Sequence, residues 1–597
     1  MYKFDKFIKT TIWIFMIMVI FYACAKKEDN ELSNSKKKPN VLLILTDDQA
    51  YGDLSFTDNP ISETPHLDGL AKEGIFFENF YVSPVCAPTR ASLLTGRYHQ
   101  RTGVEGVTRG RENMNLNEVT LADILKENGY QTGIFGKWHN GAHYPYHPLA
   151  RGFNEFVGFT SGHWSSYFDT TIEKNGKPFL AKGYLPDALT AEALSFIKSS
   201  ADKEEPFFCY IPYQTPHTPL QVPDAYFDKY KNKGEDDFNA AIYGMVENID
   251  DNINRLLQGL EELDIREETI IIYLSDNGPL NLRFNQGLKG RKGHIDEGGV
   301  RVPFMINWKG QIEPGKTIDY PLAHIDVLPT LLSMLDIEYN SKETIDGIDF
   351  KRLFKDASSM KPRKLYAEWG GNKRVLSKDH LMINEALFNL KTDPTQTLDI
   401  RKQFPDIYDS LRTSYDLWIS SIPVTESANI IPVGYLDYPE TVLPAHEANL
   451  FPVFEFRKER RHTGIAYHSL FGWAHDWIDF WTQTSAFPSW DINVVSAGRY
   501  ELKLKYALKV ENKGAKLKIE IQEQEIILDD VPVFEHSVFQ NHDRVMRTAE
   551  APETDWTILD AGIFNLEQGQ TEIRIRALDI PGNETIELKE VILKRID

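Results

Sequence analysis

The ordered pattern of the chain begins with Asn40-Val41-Leu42-Leu43-Ile44-Leu45, a run that is apolar after its first residue and does not alternate. Such a run buries both faces, as the strands of a covered parallel sheet do. Similar runs follow at Thr132–Phe135, Phe207–Ile211 and Thr269–Leu274. Helix-period stretches lie between them, including Leu121–Asn128, with Gly129 just past its end, and Ala240–Leu263. Strands alternating with helices predict an open α/β sheet covered on both faces. Near the C-terminus the period changes to two, at Tyr500–Tyr506, Lys516–Ile521 and Glu572–Arg576. Strict alternation predicts antiparallel strands and an all-β sandwich. The expected divisions are a targeting segment at 1–23, a polar tether at 24–38 and a principal α/β unit at 39–336. A smaller α+β unit follows at 337–421, then a Pro-rich irregular connector at 422–456 and the sandwich at 457–597.

Length and composition agree with several packed units. A chain of 597 residues is too long for one hydrophobic core, and 42% apolar residues describe a globular protein. The formal charge of −21 excludes a general nucleic-acid binder, so a polyanion would have to be met by a local cluster of Lys, Arg and metal. Lys3, Lys6 and Lys9 precede an apolar run, Thr11 to Ala23, that is short for a bilayer span. It stops at Cys24, ahead of Ala25 and the charged Lys26-Lys27-Glu28-Asp29. This resembles a bacterial lipoprotein signal in which Cys24 is acylated, although Phe21 and Tyr22 depart from the usual pattern; a cleaved secretory signal and an uncleaved anchor are the alternatives. The expectation is an exported outer-membrane or cell-surface lipoprotein of a Gram-negative bacterium, or a periplasmic protein, touching membrane only through Cys24. Of the three cysteines, Cys209 sits in an apolar run and reads as core. That leaves Cys86, alone in a loop, for chemistry.

Polar residues follow each buried run. Thr46-Asp47-Asp48 comes after Leu45, Ser275-Asp276-Asn277-Gly278 after Leu274, Gly136-Lys137-Trp138-His139 after Phe135, and Thr215-Pro216-His217 shortly after Ile211. In open α/β sheets the ligand crevice lies beyond the carboxyl ends of the strands. Asp47, Asp48, Asp276 and Asn277 make an all-oxygen set suited to Ca²⁺ or Mg²⁺. Each pair alone could equally cap a helix. The segment Cys86-Ala87-Pro88-Thr89-Arg90 places a nucleophile at the start of an expected helix with a guanidinium four residues on, and both favour an anion at residue 86. On these residues alone, an ordinary cysteine nucleophile or a redox thiol is also open.

Cys86 to Arg97, ending Thr95-Gly96-Arg97, resembles the signature block of the type I sulfatases, the formylglycine-dependent, arylsulfatase-like branch of the alkaline phosphatase-like superfamily. The likeness runs from about Pro39 to Leu417 and does not include the C-terminal β unit. It implies a large central mixed sheet flanked by helices, with a smaller α+β subdomain. It implies that a maturation enzyme oxidises Cys86 to formylglycine. It makes Asp47, Asp48, Asp276 and Asn277 metal ligands together with residue 86, for Ca²⁺ in preference to Mg²⁺. Lys137 and His139, His217, and Lys292 within Lys292-Gly293-His294-Ile295-Asp296-Glu297-Gly298-Gly299 match further motifs, and spacing prefers Lys292 to Lys289. In the implied mechanism the hydrated aldehyde attacks sulfur, while the metal, Arg90, Lys137 and Lys292 hold the sulfate oxygens. His217 protonates the leaving oxygen and His139 takes a proton to restore the aldehyde.

The expected partner is a sulfated carbohydrate, from algal walls (ulvan, for example) or animal glycosaminoglycans. His163 and Trp164 could line sugar subsites, and Arg283 and Phe284 share that ambiguity; His143 and His147 read more readily as local hydrogen-bonders. Trp473, Trp477, Trp481 and Trp490 read as core before sugar platform. The alternatives are a phosphonate or phosphate ester hydrolase of the same superfamily, and a non-catalytic glycan-binding surface lipoprotein.

Overall fold

The strand Asn40–Thr46 pairs in parallel with Phe207–Pro212 on one side and Thr269–Ser275 on the other. Gln131–Lys137 and Glu155–Phe159 extend the parallel run beyond Phe207–Pro212. Antiparallel strands finish both flanks, Phe304–Asn307 beside Thr269–Ser275 and Phe168–Lys174 beside Glu155–Phe159, giving a mixed ten-stranded sheet. The computed structural model describes residues 37–597 except 357, 424–428, 454–462, 470 and 538. The targeting segment, Cys24 and nearly all of the tether lie outside the described residues. No helix among the described residues is long and apolar enough to cross a membrane.

The unalternating runs are explained by two cores. Val41, Leu43 and Leu45 pack on one layer with the helices Cys86–Thr95, Leu121–Glu127 and Val327–Met334. Leu42 and Ile44 pack on the other with Leu185–Asp202 and Asp237–Glu262, and Cys209 is buried there as expected. At about 1.5–3 kcal/mol for each buried aliphatic side chain, this one strand contributes on the order of 10 kcal/mol. That anchors the strand firmly enough for two carboxylates to stand buried at its end.

Residues 364–389 form a four-stranded antiparallel meander covered by the helix Pro405–Ser420. Arg374 of this sheet donates to Glu297 Oε1 at 2.5 Å and ties it to the short helix Glu297–Val300 of the α/β unit. The sandwich joins two sheets around Leu502, Leu504, Ile573 and Ile575. The stretch 422–456 differs from the irregular connector expected. Ile431–Val433 and Asn449–Phe451 pair with Phe487–Val494, and Glu440–Pro444 pairs with Glu587–Arg595. These are edge strands of three to five residues, too short for a period to show. Trp481 and Trp490 lie in the sandwich core, their indole N–H groups donating to the carbonyls of Ala486 and Pro444. Trp490→Ala should therefore remove about 3–5 kcal/mol from the unfolding free energy of the sandwich in a denaturant titration; a change within error would mean the indole does not fill that core.

Candidate active site

Adjacent strands in the order Thr269–Ser275, Asn40–Thr46, Phe207–Pro212, Gln131–Lys137 bring four carboxyl ends side by side. They carry Asp276 and Asn277, Asp47 and Asp48, His217, and Lys137 with His139. Asp48 and His139 both adopt left-handed backbone, φ 66° and 63°, a conformation that non-glycine residues keep only where surrounding structure enforces it. Cys86 begins the helix Cys86–Thr95 directly after extended Val85, and ligand atoms of Asp47, Cys86 and Asp276 lie within 4.8 Å of one another. Thr89 braces this entry, its hydroxyl accepting from Ser83 N at 3.0 Å. Gly96, at φ 70°, closes the helix with its N–H on Ser92 O, which accounts for the glycine near the end of the block.

Lys292 and its glycines arrive from another segment. The loop Lys289–Gly299 folds onto the turn at Gly278 so closely that a Cβ there would lie 1.9 Å from Gly298 O, and one at Gly299 would lie 2.1 Å from His294 O. This packing needs bare backbone, and it delivers Lys292 Nζ to Asp48 Oδ1 at 2.7 Å. Lys289 turns away to Asp296, so geometry agrees with the preference for Lys292. Lys137 Nζ meets Asp47 Oδ2 at 2.5 Å. Arg90 stands among the same carboxylates. Its guanidinium donates to Asp276 Oδ2 at 2.8 Å, to Asp47 Oδ2 at 3.2 Å and to Lys137 O at 2.8 Å, with no exposed surface. It braces the carboxylates.

Three oxygens are left over. Asp47 Oδ1, Asp48 Oδ2 and Asn277 Oδ1 are buried and accept no hydrogen bond, although their partner atoms are fully engaged. Unpartnered buried acceptors are costly, and buried hard oxygens of this kind fit Ca²⁺ or Mg²⁺. The carboxylates divide in electrostatic character. Burial alone would raise Asp47, but Lys137, His217, Arg90 and Lys292 hold it far below the usual carboxylate range. Burial and the neighbouring Asp47 push Asp276 up to about 7. Burial also pushes the Cys86 thiol up, despite Lys137 and Lys292. An ordinary catalytic cysteine needs the reverse, so the unmodified thiol is poorly suited to be the nucleophile.

The two histidines have defined tautomers because a carbonyl can only accept. His139 Nε2 donates to Val107 O at 2.9 Å, leaving a bare, unpartnered Nδ1. His217 Nδ1 donates to Thr218 O at 2.7 Å, leaving Nε2 at 3.9 Å from Asp48 Oδ2. Burial first, then Lys137 for His139 and Lys292 for His217, lowers both pKa values, so both rings are neutral. Lys292 and His217 retain 17% and 12% of their side-chain exposure while the rest of the cluster is closed, which places the mouth of the site beside them.

The outer residues separate clearly. His143 pairs with Glu447, His147 with Glu173, and Arg283 with Asp53, and His143, Glu173 and Glu447 also line a neighbouring cavity. His163 stacks parallel to His217 at 6.3 Å with its Nε2 unpartnered, and Trp164 lies next to it. A cavity of about 630 Å³ opens at this seam, between the α/β unit and the sandwich, lined by Tyr144, Ser161, Trp164, Tyr438 and His475 among others. Gly162 shares its wall, and a Cβ there would press on His139 Nε2 at 2.7 Å. His475, from the sandwich, escaped sequence reasoning because no local pattern links it to residues three hundred positions earlier.

The family model described as Sulfatase matches residues 39–337. The chain is 29% identical over 388 residues to the uncharacterized sulfatase YdeN of Escherichia coli (strain K12), covering 55% of this chain and 68% of that protein. It is 33% identical over 356 residues to arylsulfatase A of Homo sapiens, covering 53% of this chain and 68% of that protein. These alignments span about two thirds of the relatives' length. Among solved structures, Ps i-CgsB in complex with k-i-k-neocarrahexaose superposes with a TM-score of 0.61 at 29% identity, covering 65% of this chain and 94% of that chain.

A bound divalent cation should raise the melting temperature of chelator-treated protein, by the equivalent of about 2.7 kcal/mol at a hundredfold excess over Kd. Asn277→Ala should abolish the rise. Because a proton competes for Asp276, the apparent calcium affinity should weaken as pH falls below about 7. Thermal melts with calcium on either side of that pH test this; a rise unaffected by Asn277→Ala would place the cation elsewhere.

Proposed function

The chain belongs to the sulfatase family and is a sulfuric ester hydrolase, and we propose that it acts on a sulfated polysaccharide or its oligosaccharides. In this reading Cys86 is converted to formylglycine and a divalent cation, calcium before magnesium, is bound at Asp47, Asp48, Asp276, Asn277 and residue 86. The observation that carries it is the set of three orphaned oxygens, Asp47 Oδ1, Asp48 Oδ2 and Asn277 Oδ1, beside two lysines, with Asp47 and Asp276 grouped with Cys86. Asp47, Asp48 and Asp276 are offset by Arg90, Lys137 and Lys292, so a divalent cation would leave the centre positive and matched to an anionic ester.

The cation supplies charge stabilisation at the sulfate oxygens. A formylglycine at residue 86 would supply the oxygen nucleophile for sulfur that an unmodified cysteine lacks. Lys292, at the open mouth, and Lys137 hold the sulfate oxygens, and Lys137 also keeps Asp47 ionised. His139 receives a proton at its bare Nδ1, held in that orientation by Val107 O. His217 donates to the leaving oxygen from Nε2. A sulfate ester brings negative charge beside it and so favours the imidazolium that this donation requires.

The carbohydrate class is supported by the cavity at the seam, with its aromatic and polar lining, and by the bound neocarrahexaose of Ps i-CgsB. Export with a lipid anchor at Cys24 and an acidic sequence favour an algal polymer such as ulvan. Co-expressed with a maturation enzyme, the protein should release sulfate from one member of a panel of algal and animal sulfated polysaccharides. Cys86→Ala should lower that release to the uncatalysed level. Undiminished release by Cys86→Ala would sink the scheme, and turnover of para-nitrophenyl phosphate in place of every sulfate would reassign the ester class.

A further inference from the structure

The loop that carries His217 is held from the far end of the chain. Thr218 Oγ1 donates to Glu550 Oε1 at 2.5 Å, and Gln221 Nε2 donates to Asp543 Oδ1 at 2.7 Å. Arg544 N donates to Leu220 O at 2.8 Å, its guanidinium donates to Val222 O at 2.7 Å, and it pairs with Asp224. Arg547, itself paired with Asp543, donates to Ser165 O at 2.7 Å. All of these partners come from one irregular segment of the sandwich, between the strands Gln524–Leu528 and Thr557–Leu566. On the other flank, His475 Nε2 lies 3.1 Å from Ser161 Oγ and its ring meets Trp164 edge-on at 4.2 Å.

Thr218 does more than anchor the loop. Its hydroxyl oxygen stands 3.3 Å from His217 Nδ1. A threonine hydroxyl can either donate or accept, and a donating one at this position would favour the tautomer with hydrogen on Nε2. A carboxylate can only accept, so Glu550 takes the hydroxyl hydrogen and leaves Thr218 Oγ1 a lone pair to offer. Thr218 O fixes the hydrogen on Nδ1, and that lone pair braces the same N–H where a donating hydroxyl would oppose it, so the ring is held with Nε2 toward the reacting side. We propose that Glu550 is a positioning residue for His217, acting through Thr218, so that the C-terminal sandwich takes part in proton delivery to the leaving group. The proposal rests on His217 being the acid for that group.

The test uses leaving-group dependence, which a merely structural loss does not change. A good leaving group such as para-nitrophenolate needs no proton, whereas a sugar hydroxyl does. Glu550→Ala should lower kcat about tenfold on the sulfated saccharide found active above and on phenyl sulfate. It should leave para-nitrophenyl sulfate within about twofold, with KM little changed. Glu550→Gln, whose carbonyl oxygen still accepts from Thr218, should recover most of the loss. Melting temperatures identify any variant that fails to fold. NMR of isotope-labelled histidine, assigned with His217→Ala, reads the Nδ1–H without turnover: its exchange with solvent should be faster in Glu550→Ala than in the parent. Equal losses on all esters, or unchanged Nδ1–H exchange, would overturn the proposal. If His217→Ala itself shows no leaving-group dependence, the acid assignment fails instead.

Discussion

Three carboxylates withdrawn from water at the end of one sheet are the constraint around which the centre is built. Asp47, Asp48 and Asp276 have essentially no exposed surface, and unpaired charges in that position would cost several kcal/mol each. Arg90, Lys137 and Lys292 answer them from three separate segments. Those bridges consume only one side of each of Asp47 and Asp48. The opposite oxygens, with Asn277 Oδ1, stay unsatisfied, so the cluster is incomplete as a purely protein arrangement. Incompleteness is compatible with folding here because the strand beneath is secured by two apolar layers.

Much of this was legible in the sequence for definite reasons. Strands buried on both faces leave unbroken apolar runs, so Asn40–Leu45 and Thr269–Leu274 announced themselves, and strand-end chemistry located Asp47, Asp48, Asp276 and Asn277. The block from Cys86 to Arg97 carried the family likeness. Other features were hidden for equally physical reasons. The edge strands between Ile431 and Phe451 are too short to express a period. The pairing of Arg90 with Asp47 and Asp276 is a tertiary contact that its spacing from residue 86 does not record. His475 and Glu550 reach the catalytic wall from irregular segments, where neither spacing nor composition records a tertiary neighbour.

The charge of the centre also contrasts with that of the whole. A chain of formal charge −21 gives an anionic polymer no general attraction. Recognition therefore falls to short-range contacts at the mouth, where Lys292 and His217 keep some exposure, and to the polar and aromatic seam beside Trp164. A surface of this kind disfavours indiscriminate adsorption of polyanions and leaves selection to the fit of the sulfated unit.

The clamp on the His217 loop ties the finished centre to the order in which the chain is made. Residue 217 leaves the ribosome long before residue 550, and at about 5–20 residues per second the interval is on the order of tens of seconds. During that time the sheet, the carboxylates and both lysines can already be in place, yet Thr218, Gln221 and Val222 lack the partners that seat them. The segment around Glu550 thus completes a site begun by residues far earlier in the chain, and without that segment the loop of His217 would be left unseated.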